Sequence, residues 1–269
     1  MKDSNEASEE RNVDRMIARK TVLSFAILVF GFALAIAGWK WLVHQPLDNE
    51  EPKPLRTVLN VNEKINSFYY SNQNLAREYP KSAAAKKVRV NGDIGMGEDF
   101  DLRQWSLNVS NIQADKASTA ILLKMEDIKA LPKQEEIFNF KCIEGWSQVS
   151  HWGGVRFSDF LMKYHLGTHS GKAPDPKHPE DLFKYVGLMT PDSLYYVGID
   201  MKSMLHPQTL LCYEVNQGPL PMNQGYPLRL IITVKYGIKS LKRIGYIYFS
   251  DKRPADYWYE RGYDYDSGL

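Results

Sequence analysis

The lone cysteine in the stretch FNFKCIEGWSQVSHWGGVRF, residues 138–157, is the residue of this chain best suited to metal or redox chemistry. Cys142 follows the alternating segment EIFNFK, so it is predicted to lie where a strand ends and a loop begins. A thiolate at such a junction has a fixed backbone and open space in front of it, which suits a metal ligand. The alternative is a small buried hydrophobic residue, the common role of a free cysteine.

A second pattern suits the binding of an anion. The prolines and glycines of NQGPLPMNQGYPLRL, residues 216–230, predict a stiff loop that leads Arg229 into an apolar strand. A guanidinium held by rigid backbone binds phosphate through two hydrogen bonds, and Lys239 and Lys242 add positive charge nearby. The alternative is an ordinary basic cluster on the surface.

Composition excludes several other classes. The chain has 34 basic and 32 acidic residues, and no basic run is interleaved with aromatic residues, so nucleic acid is not expected as a partner. The glycine-rich loop NGDIGMGEDFD lacks the Lys-Ser/Thr of a phosphate loop. The other cysteine, Cys212, lies in the middle of an apolar segment and is interpreted as a core residue, so a disulfide framework is not predicted.

The N-terminal region contains a predicted membrane-spanning helix. Residues 22–39 carry no charge, and the apolar run extends to Val43, which is long enough to cross a bilayer. Lys40 is the main basic residue after the run, whereas four precede it: Arg11, Arg15, Arg19 and Lys20. This bias predicts a cytoplasmic N-terminus and a domain outside the cytoplasmic membrane. A cleaved signal peptide is the alternative, because ALAIA supplies small residues after the apolar core.

The predicted organisation has four parts. Residues 1–21 are a cytoplasmic segment, 22–43 the anchor or signal peptide, 44–65 a linker and 66–269 the soluble domain. The linker begins with HQPLDNEEPKPL, whose prolines and acidic residues predict a semi-extended tether.

The soluble domain is predicted to be α+β, with β structure dominant. Segments rich in β-branched and aromatic residues predict strands: WSLNV, EIFNFK, YYVGID, TLLCYEV, LRLIITV and IGYIYFS. MEDIKAL and MKSML predict short helices. Ser158 is the predicted N-cap of a helix in FSDFLMKY.

Several of these stretches resemble, in the same order, motifs of the sulfite oxidase superfamily of molybdopterin enzymes, and above all the branch of the periplasmic methionine sulfoxide reductase catalytic subunit. They run from Asn66 to Tyr259 and are NSFYYSN, CIEGWSQVSHWGGVRFSDFL, GLMTPDS, MLHPQTLLCYEVNQGPLPMNQGYPLRL and KYGIKSLKRIGYIYFSD. The resemblance implies a β-rich, sulfite-oxidase-like molybdopterin-binding domain behind one N-terminal transmembrane helix.

The resemblance also implies roles for individual residues. Cys142 is implied to be the thiolate ligand of molybdenum, a soft ligand for a sulfur-rich metal centre. The implied cofactor-binding residues are Asn66, Tyr69, Tyr70, Thr190, Gln224, Arg229, Ser240, Leu241 and Lys242. Among them, Gln224 stands where the branch has Asn, whereas Arg229 and residues 240–242 match positions that hold the terminal phosphate.

The expected activity is oxygen-atom transfer with the molybdenum–molybdopterin cofactor, and the expected substrate is a neutral S-oxide such as methionine sulfoxide. Residues 143–146 after the cysteine are Ile-Glu-Gly-Trp and carry no arginine for a dianion such as sulfite. His151, Trp152 and Arg156 are candidates for lining the entrance. No C-x-x-C-H haem motif is present, so a membrane haem protein or quinol-linked protein is expected to supply electrons. The alternatives are a sulfite dehydrogenase and a non-catalytic subunit of a membrane complex.

Overall fold

A computed structural model describes residues 2–69, 74–97, 101–111 and 120–268 of the chain. The chain divides into two compact units, Met1–Asn60 and Val61–Leu269.

The first unit contains the predicted apolar helix. Helix α1 spans Lys2–Val43, and its segment Asp14–Val43 is long and apolar enough to cross a membrane, with none of its most apolar stretch buried against protein. Trp39 and Trp41 are both more than half exposed near its end.

The segment predicted to be a semi-extended tether has a different conformation. Strands β1 (Leu47–Asp48) and β2 (Glu51–Pro52) pair as a hairpin, and helix α2 (Lys53–Tyr69) follows immediately. Asn49 and Glu50 both have positive φ angles, 50° and 65°, which is the backbone of a two-residue hairpin turn. The prediction of an extended tether is therefore wrong, whereas the domain boundary at residue 65 stays a prediction.

The second unit is α+β with β dominant, as predicted. Two five-stranded sheets have the orders β4-β3-β12-β7-β8 and β10-β9-β6-β5, with β11 also paired to β9. The strands are β3 (Leu107–Asn111), β4 (Ile121–Leu123), β5 (Lys133–Lys141), β6 (Ser147–Arg156), β7 (Tyr185–Met189), β8 (Tyr196–Asp200), β9 (Leu210–Val215), β10 (Gly218–Pro219), β11 (Arg229–Ile231) and β12 (Tyr246–Ser250). The helices are α3 (Met125–Lys129), α4 (Phe157–Tyr164) and α5 (Met201–Met204).

Side-chain alternation places the core between these elements. In β12, Ile247 and Phe249 are almost fully buried while their neighbours are half-buried, which is the two-residue period of a strand. Ile247 and Phe249 belong to the main apolar core. A second, smaller apolar cluster consists of Phe138, Trp152, Leu210, Cys212, Leu220 and Ile231. The interpretation of Cys212 as a core cysteine is confirmed, and burial raises the pKa of its thiol to about 12.

The hairpin of β5 and β6 carries the site, and its position depends on one glycine. The two strands pair from Lys133 with Val155 to Lys141 with Ser147. β6 also pairs with β9, with an irregularity at Gly153 and Gly154. A Cβ at Gly154 would lie 2.2 Å from the Leu211 carbonyl oxygen, so β6 reaches β9 only without a side chain there.

The predicted N-cap at Ser158 is wrong by two residues. Helix α4 begins at Phe157, and Arg156 is its N-cap residue. The Phe157 amide donates to the Thr209 carbonyl at 3.0 Å, and its side chain is fully buried. This tertiary anchor fixes where the chain turns from β6 into the helix, and it overrides the local capping preference of serine.

Candidate active site

Cys142 is the first residue of the loop that joins β5 to β6. β5 ends at Lys141, which confirms the predicted strand-to-loop junction. The Cys142 amide donates to the Trp146 carbonyl at 2.9 Å, and the Gly145 amide donates to the Cys142 carbonyl at 3.1 Å. Gly145 has a φ of 88°, which glycine adopts without strain. The loop therefore holds the cysteine in one position, where its side chain is 5% exposed.

Cys142 lines a cavity whose empty volume, including space open to solvent, is about 970 Å³. Alternate residues of β6, namely Gln148, Ser150 and Trp152, line it, because they share one face of the strand. The Trp152 indole N–H donates to the Ser150 hydroxyl at 2.7 Å. One face of the β5–β6 hairpin thus forms a floor of the cavity, with Cys142 at the end of that floor.

Four of the predicted cofactor-binding residues line the same cavity as Cys142. They are Gln224, Arg229, Ser240 and Lys242, and we call them the polar wall. Gln224 ends a short 3-10 turn, Met222–Gln224, and Arg229 begins β11. Ser240 and Lys242 follow another short turn, Gly237–Lys239. The fold therefore brings together residues that are far from Cys142 in sequence.

Arg229 is a buried cation without a carboxylate partner among the described residues. Its side chain is 3% exposed, and its guanidinium lies 4.6 Å from the Trp152 ring centroid. Nη1 donates to the carbonyl and the side-chain oxygen of Gln224 at 3.1 and 2.8 Å, and Nη2 donates to the Ser240 carbonyl at 3.3 Å. Nε has no hydrogen-bond partner. Burial lowers the pKa of Arg229 to about 10, because the charged form is desolvated.

Ser240 and Lys242 line the same cavity as Arg229. The buried Ser240 hydroxyl has no hydrogen-bond partner. The Lys242 ammonium donates to the carbonyls of Asn91 and Gly92 at 2.7 and 2.8 Å. Burial first, and the nearby Arg229 second, lower the pKa of Lys242 to about 8. Two cations and a free hydroxyl at one end of a cavity are suited to bind an anion such as a phosphate.

Gln224 orients the polar wall through both ends of its amide. Its side-chain oxygen accepts from Arg229, and its Nε2 donates to the carbonyls of Val88 and Arg89, each at 3.2 Å. Gln224 is 3% exposed, so these bonds satisfy a buried amide. The glutamine therefore connects the segment at residues 88–89 to Arg229.

Two predicted cofactor-binding residues with described side chains, Thr190 and Leu241, do not line the cavity. Thr190 is fully buried, and its hydroxyl accepts from the Tyr195 amide at 3.1 Å, so it supports the cavity residue Tyr195 from behind. Leu241 is also fully buried, and it lies in sequence between two residues of the polar wall. Asn66 and Tyr69 lie in α2 but their side chains are outside the described residues, as is all of Tyr70.

The structure corrects two of the three entrance candidates. Trp152 lines the cavity beneath Arg229, but His151 and Arg156 do not. His151 points to the opposite face of β6, where its Nε2 lies 3.2 Å from a Glu135 carboxylate oxygen. Alternation along the strand explains why adjacent residues separate in this way.

Several cavity residues escaped the sequence analysis. Asn91 lies in the loop before β3, and its side-chain amide is 3.7 Å from the Cys142 sulfur. Arg89 stacks over Trp146, 4.6 Å from its ring centroid. Tyr195, Trp258 and Tyr263 add aromatic surface. The NGDIG motif was the only local signal near this group, and it indicated a loop without indicating a site.

Residues 95–258, more than half of the chain, match the family model described as the oxidoreductase molybdopterin binding domain. The chain belongs to this family. The predicted sulfite-oxidase-like fold class and the molybdenum–molybdopterin cofactor are thereby confirmed, and membership makes the chain a molybdenum-dependent oxidoreductase.

Relatives within this molybdopterin-binding family include reductase subunits. The chain is 28% identical over 223 residues to the putative protein-methionine-sulfoxide reductase subunit YedZ1 of Azospira oryzae, covering 82% of this chain and 78% of that protein. It is 30% identical over 176 residues to the MsrP catalytic subunit of protein-methionine-sulfoxide reductase from Campylobacter jejuni, covering 61% and 55%. The chain thus spans about half the length of that catalytic subunit. The solved sulfane dehydrogenase SoxCD from Paracoccus pantotrophus matches with a TM-score of 0.45 and 15% identity over 58% of this chain and 40% of that chain.

The residues present fit a molybdopterin. The Arg229 Nε and the Ser240 hydroxyl are buried polar atoms without protein partners, and buried polar groups in folded proteins are normally satisfied. The phosphate of the cofactor would supply both the missing acceptors and the missing negative charge. Cys142 lines the same cavity and offers a soft sulfur ligand to the metal. The polar wall would therefore hold the phosphate end, and the hairpin loop would hold the metal end.

Proposed function

We propose that this chain is a membrane-anchored oxidoreductase whose domain lies outside the cytoplasm and transfers an oxygen atom from an S-oxide, such as methionine sulfoxide, at a molybdenum ligated by Cys142. The observation that carries the proposal is that Cys142 lines one cavity with the Arg229 guanidinium and the Ser240 hydroxyl, whose buried Nε and Oγ atoms have no hydrogen-bond partner among the described residues. The family membership supplies the cofactor class.

In the proposed reaction, the bound cofactor supplies two-electron chemistry that exchanges an oxygen atom with the substrate. In the net change, the sulfoxide takes up two electrons and two protons and becomes a thioether, so the sulfur is reduced and the oxygen leaves as water. Cys142, at the start of the hairpin loop, would supply the thiolate ligand of the metal. Arg229, Ser240 and Lys242 fix the phosphate end, so that the reactive centre has one orientation relative to the loop.

The surroundings of Cys142 support a substrate without net charge. Ile143 and Trp146 follow it in the loop and line the cavity, and Tyr195, Trp258 and Tyr263 line it as well. Aromatic and aliphatic side chains cannot replace the hydration that a dianion such as sulfite loses when it is buried. They do contact thioether groups well. The relatives named for methionine sulfoxide support the same substrate class for this chain.

The proposed location and electron supply follow from the N-terminal region. The apolar segment of α1 is proposed to anchor the chain in the cytoplasmic membrane, with the basic residues before it on the cytoplasmic side. A haem- or quinol-linked membrane protein is the proposed electron donor. The activity of a reporter fused after Leu269 should be found outside the cytoplasm. Reporter activity inside the cytoplasm would contradict the proposed orientation.

The decisive experiment replaces Cys142 by Ser, with Cys212→Ala as the matched control. A hard, weakly acidic hydroxyl is a poor ligand for this metal, so Cys142→Ser should lower methionine sulfoxide reduction by about two orders of magnitude or more. Cys212→Ala opens a small core cavity, so it should cost about 1 kcal/mol of stability and leave activity per bound molybdenum unchanged.

The measurements are metal content, melting temperature and reduction of methionine sulfoxide by a reduced dye, with sulfite oxidation assayed in parallel. Cys142→Ser protein that retains full activity would exclude the ligand role. If wild-type protein oxidised sulfite faster than it reduced sulfoxides, the proposed activity would be wrong.

A further inference from the structure

The C-terminal segment Asp256–Tyr263 contributes aromatic surface to the cavity. Trp258 and Tyr263 both line it, and their rings pack edge to face with centroids 5.0 Å apart. The Tyr263 amide donates to the Trp258 carbonyl at 3.0 Å, and Gly262 between them has a φ of 93°. A left-handed glycine therefore turns the chain so that Tyr263 returns to Trp258.

A buried ion pair outside the cavity fixes this segment. Asp256 and Lys239 are 2% and 1% exposed, and the Lys239 ammonium pairs with an Asp256 carboxylate oxygen. The same oxygen accepts from the Gly198 amide at 3.1 Å, and the other accepts from the Tyr259 amide at 3.1 Å. Asp256, two residues before Trp258, thus connects the C-terminal segment to β8 and to the turn Gly237–Lys239.

The aromatic pair of Trp258 and Tyr263 is accessible from the cavity and from solvent. Tyr263 is 40% exposed, whereas Trp258 is half-buried, so the pair extends from the interior of the cavity towards solvent. Sulfur groups make favourable contacts with aromatic rings, so an aromatic surface strengthens the binding of a substrate that contains sulfur. Neither Trp258 nor Tyr263 belongs to the polar wall, and both line the cavity.

We propose that Trp258 and Tyr263 form the surface that recognises the organic substituents of the S-oxide, and that Asp256 and Lys239 are positioning residues for that surface. This inference rests on the proposed function, because it assigns the substrate contacts of the same reaction. Recognition of carbon substituents predicts selectivity for methionine sulfoxide over dimethyl sulfoxide, which has only two methyl groups to contact.

The first test compares Tyr263→Ala with Tyr259→Ala. Tyr259 lies in the same segment but packs on Tyr265 and does not line the cavity, so it is the matched control. Tyr263→Ala should raise the KM for methionine sulfoxide about tenfold. The KM for dimethyl sulfoxide, the kcat values and the molybdenum content should stay unchanged. Tyr259→Ala should leave both KM values unchanged.

A binding measurement provides a second readout without turnover. Methionine sulfone has the same carbon substituents, and its Kd for the loaded protein can be measured by calorimetry. Tyr263→Ala should weaken that binding by the same factor as it raises the KM. Equal KM and Kd values in Tyr263→Ala and Tyr259→Ala would overturn the recognition surface. Loaded wild-type protein that reduces neither sulfoxide would instead overturn the proposed function.

The positioning role is tested with Asp256→Asn at a temperature below its unfolding transition. The change keeps the shape of the side chain but removes the charge that pairs with Lys239. Selectivity for methionine sulfoxide should fall, and adding Tyr263→Ala should lower it little further, because both changes act through one surface. A lower melting temperature with unchanged selectivity would show a structural role only and overturn the positioning assignment.

Discussion

Two buried cations of the second unit, Lys239 and Arg229, have opposite surroundings. Lys239 is 1% exposed and pairs with the buried carboxylate of Asp256. Arg229 is 3% exposed and donates only to neutral oxygens of Gln224 and Ser240 among the residues with described positions. A buried charge is costly unless it is paired. The charge of Lys239 is therefore compensated within the protein, whereas Arg229 has no carboxylate partner among the described residues, as expected for the anion-binding role proposed for it.

The largest expected effect separates the two cations by stability. Lys239→Met leaves Asp256 as an uncompensated buried charge and should cost about 3–5 kcal/mol of unfolding free energy. Arg229→Met removes a desolvated charge but also breaks the bonds to Gln224, so the cofactor-free protein should change by about 1 kcal/mol in either direction. Urea denaturation of cofactor-free protein measures both. Equal losses in the two variants would refute the contrast.

The second prediction reverses the ranking for ligand binding. Arg229→Met should weaken binding of the phosphate end of the cofactor by about 2 kcal/mol or more, because a charge-assisted contact is lost from a desolvated site. Inorganic phosphate is the probe: it should raise the melting temperature of cofactor-free wild-type protein but not of Arg229→Met. Lys239→Met, assayed while still folded, should retain the response. A response in Arg229→Met would place the anion elsewhere.

The third prediction uses the pH dependence of Lys242, whose pKa is lowered from 10.5 to about 8 by burial and by Arg229. Between these two values the unfolded chain holds more protons than the folded protein, so this group makes the cofactor-free protein more stable as pH rises. Phosphate binding should weaken over the same range, because Lys242 loses its charge. Lys242→Met should flatten both trends. Parallel changes of stability and binding in the wild type would contradict this assignment.

The smallest expected effect concerns a buried acid outside the cavity. Burial raises the pKa of Glu136 from 4.5 to about 7, and Gln208 donates to it at 3.0 Å. Between pH 4.5 and about pH 7, the folded protein therefore holds more protons than the unfolded chain. Glu136 thus makes the folded protein less stable as the pH rises through this range. Glu136→Gln should remove that slope, raise the melting temperature at pH 8 relative to wild type and leave phosphate binding unchanged. A loss of phosphate binding would link Glu136 to the polar wall.

Sequence alone predicted those features that depend on local pattern or on motifs. Residue composition and alternation identified β3, β5, β8, β9, β11 and β12, including the strand that ends before Cys142, but not β6 or β7, and an apolar run identified α1. The motifs that contain Arg229 and Lys242 named residues that the fold brings to the same cavity as Cys142. The roles of its members stay predictions.

Other features were missed because tertiary contacts decide them. Ser158 has the chemistry of a cap, but the Phe157 bond to Thr209 determines where α4 begins. Trp258 and Tyr263 line the cavity in a segment where Asp256 is bound by a lysine and a strand amide from elsewhere in the chain, and these contacts have no local sequence signal. His151 and Trp152 are neighbours on β6 but lie on opposite faces of the strand. The position of the bulge and the register with β5 determine which face each residue occupies.

The cavity lining extends along the chain from Val88 to Tyr263. Nearly the whole second unit must therefore be translated and folded before the cofactor has a complete site, so insertion of the cofactor is a late step of maturation. A route that threads the unfolded chain across a membrane would have to leave that step to the far side. A domain that is loaded before export must instead cross the membrane in its folded form.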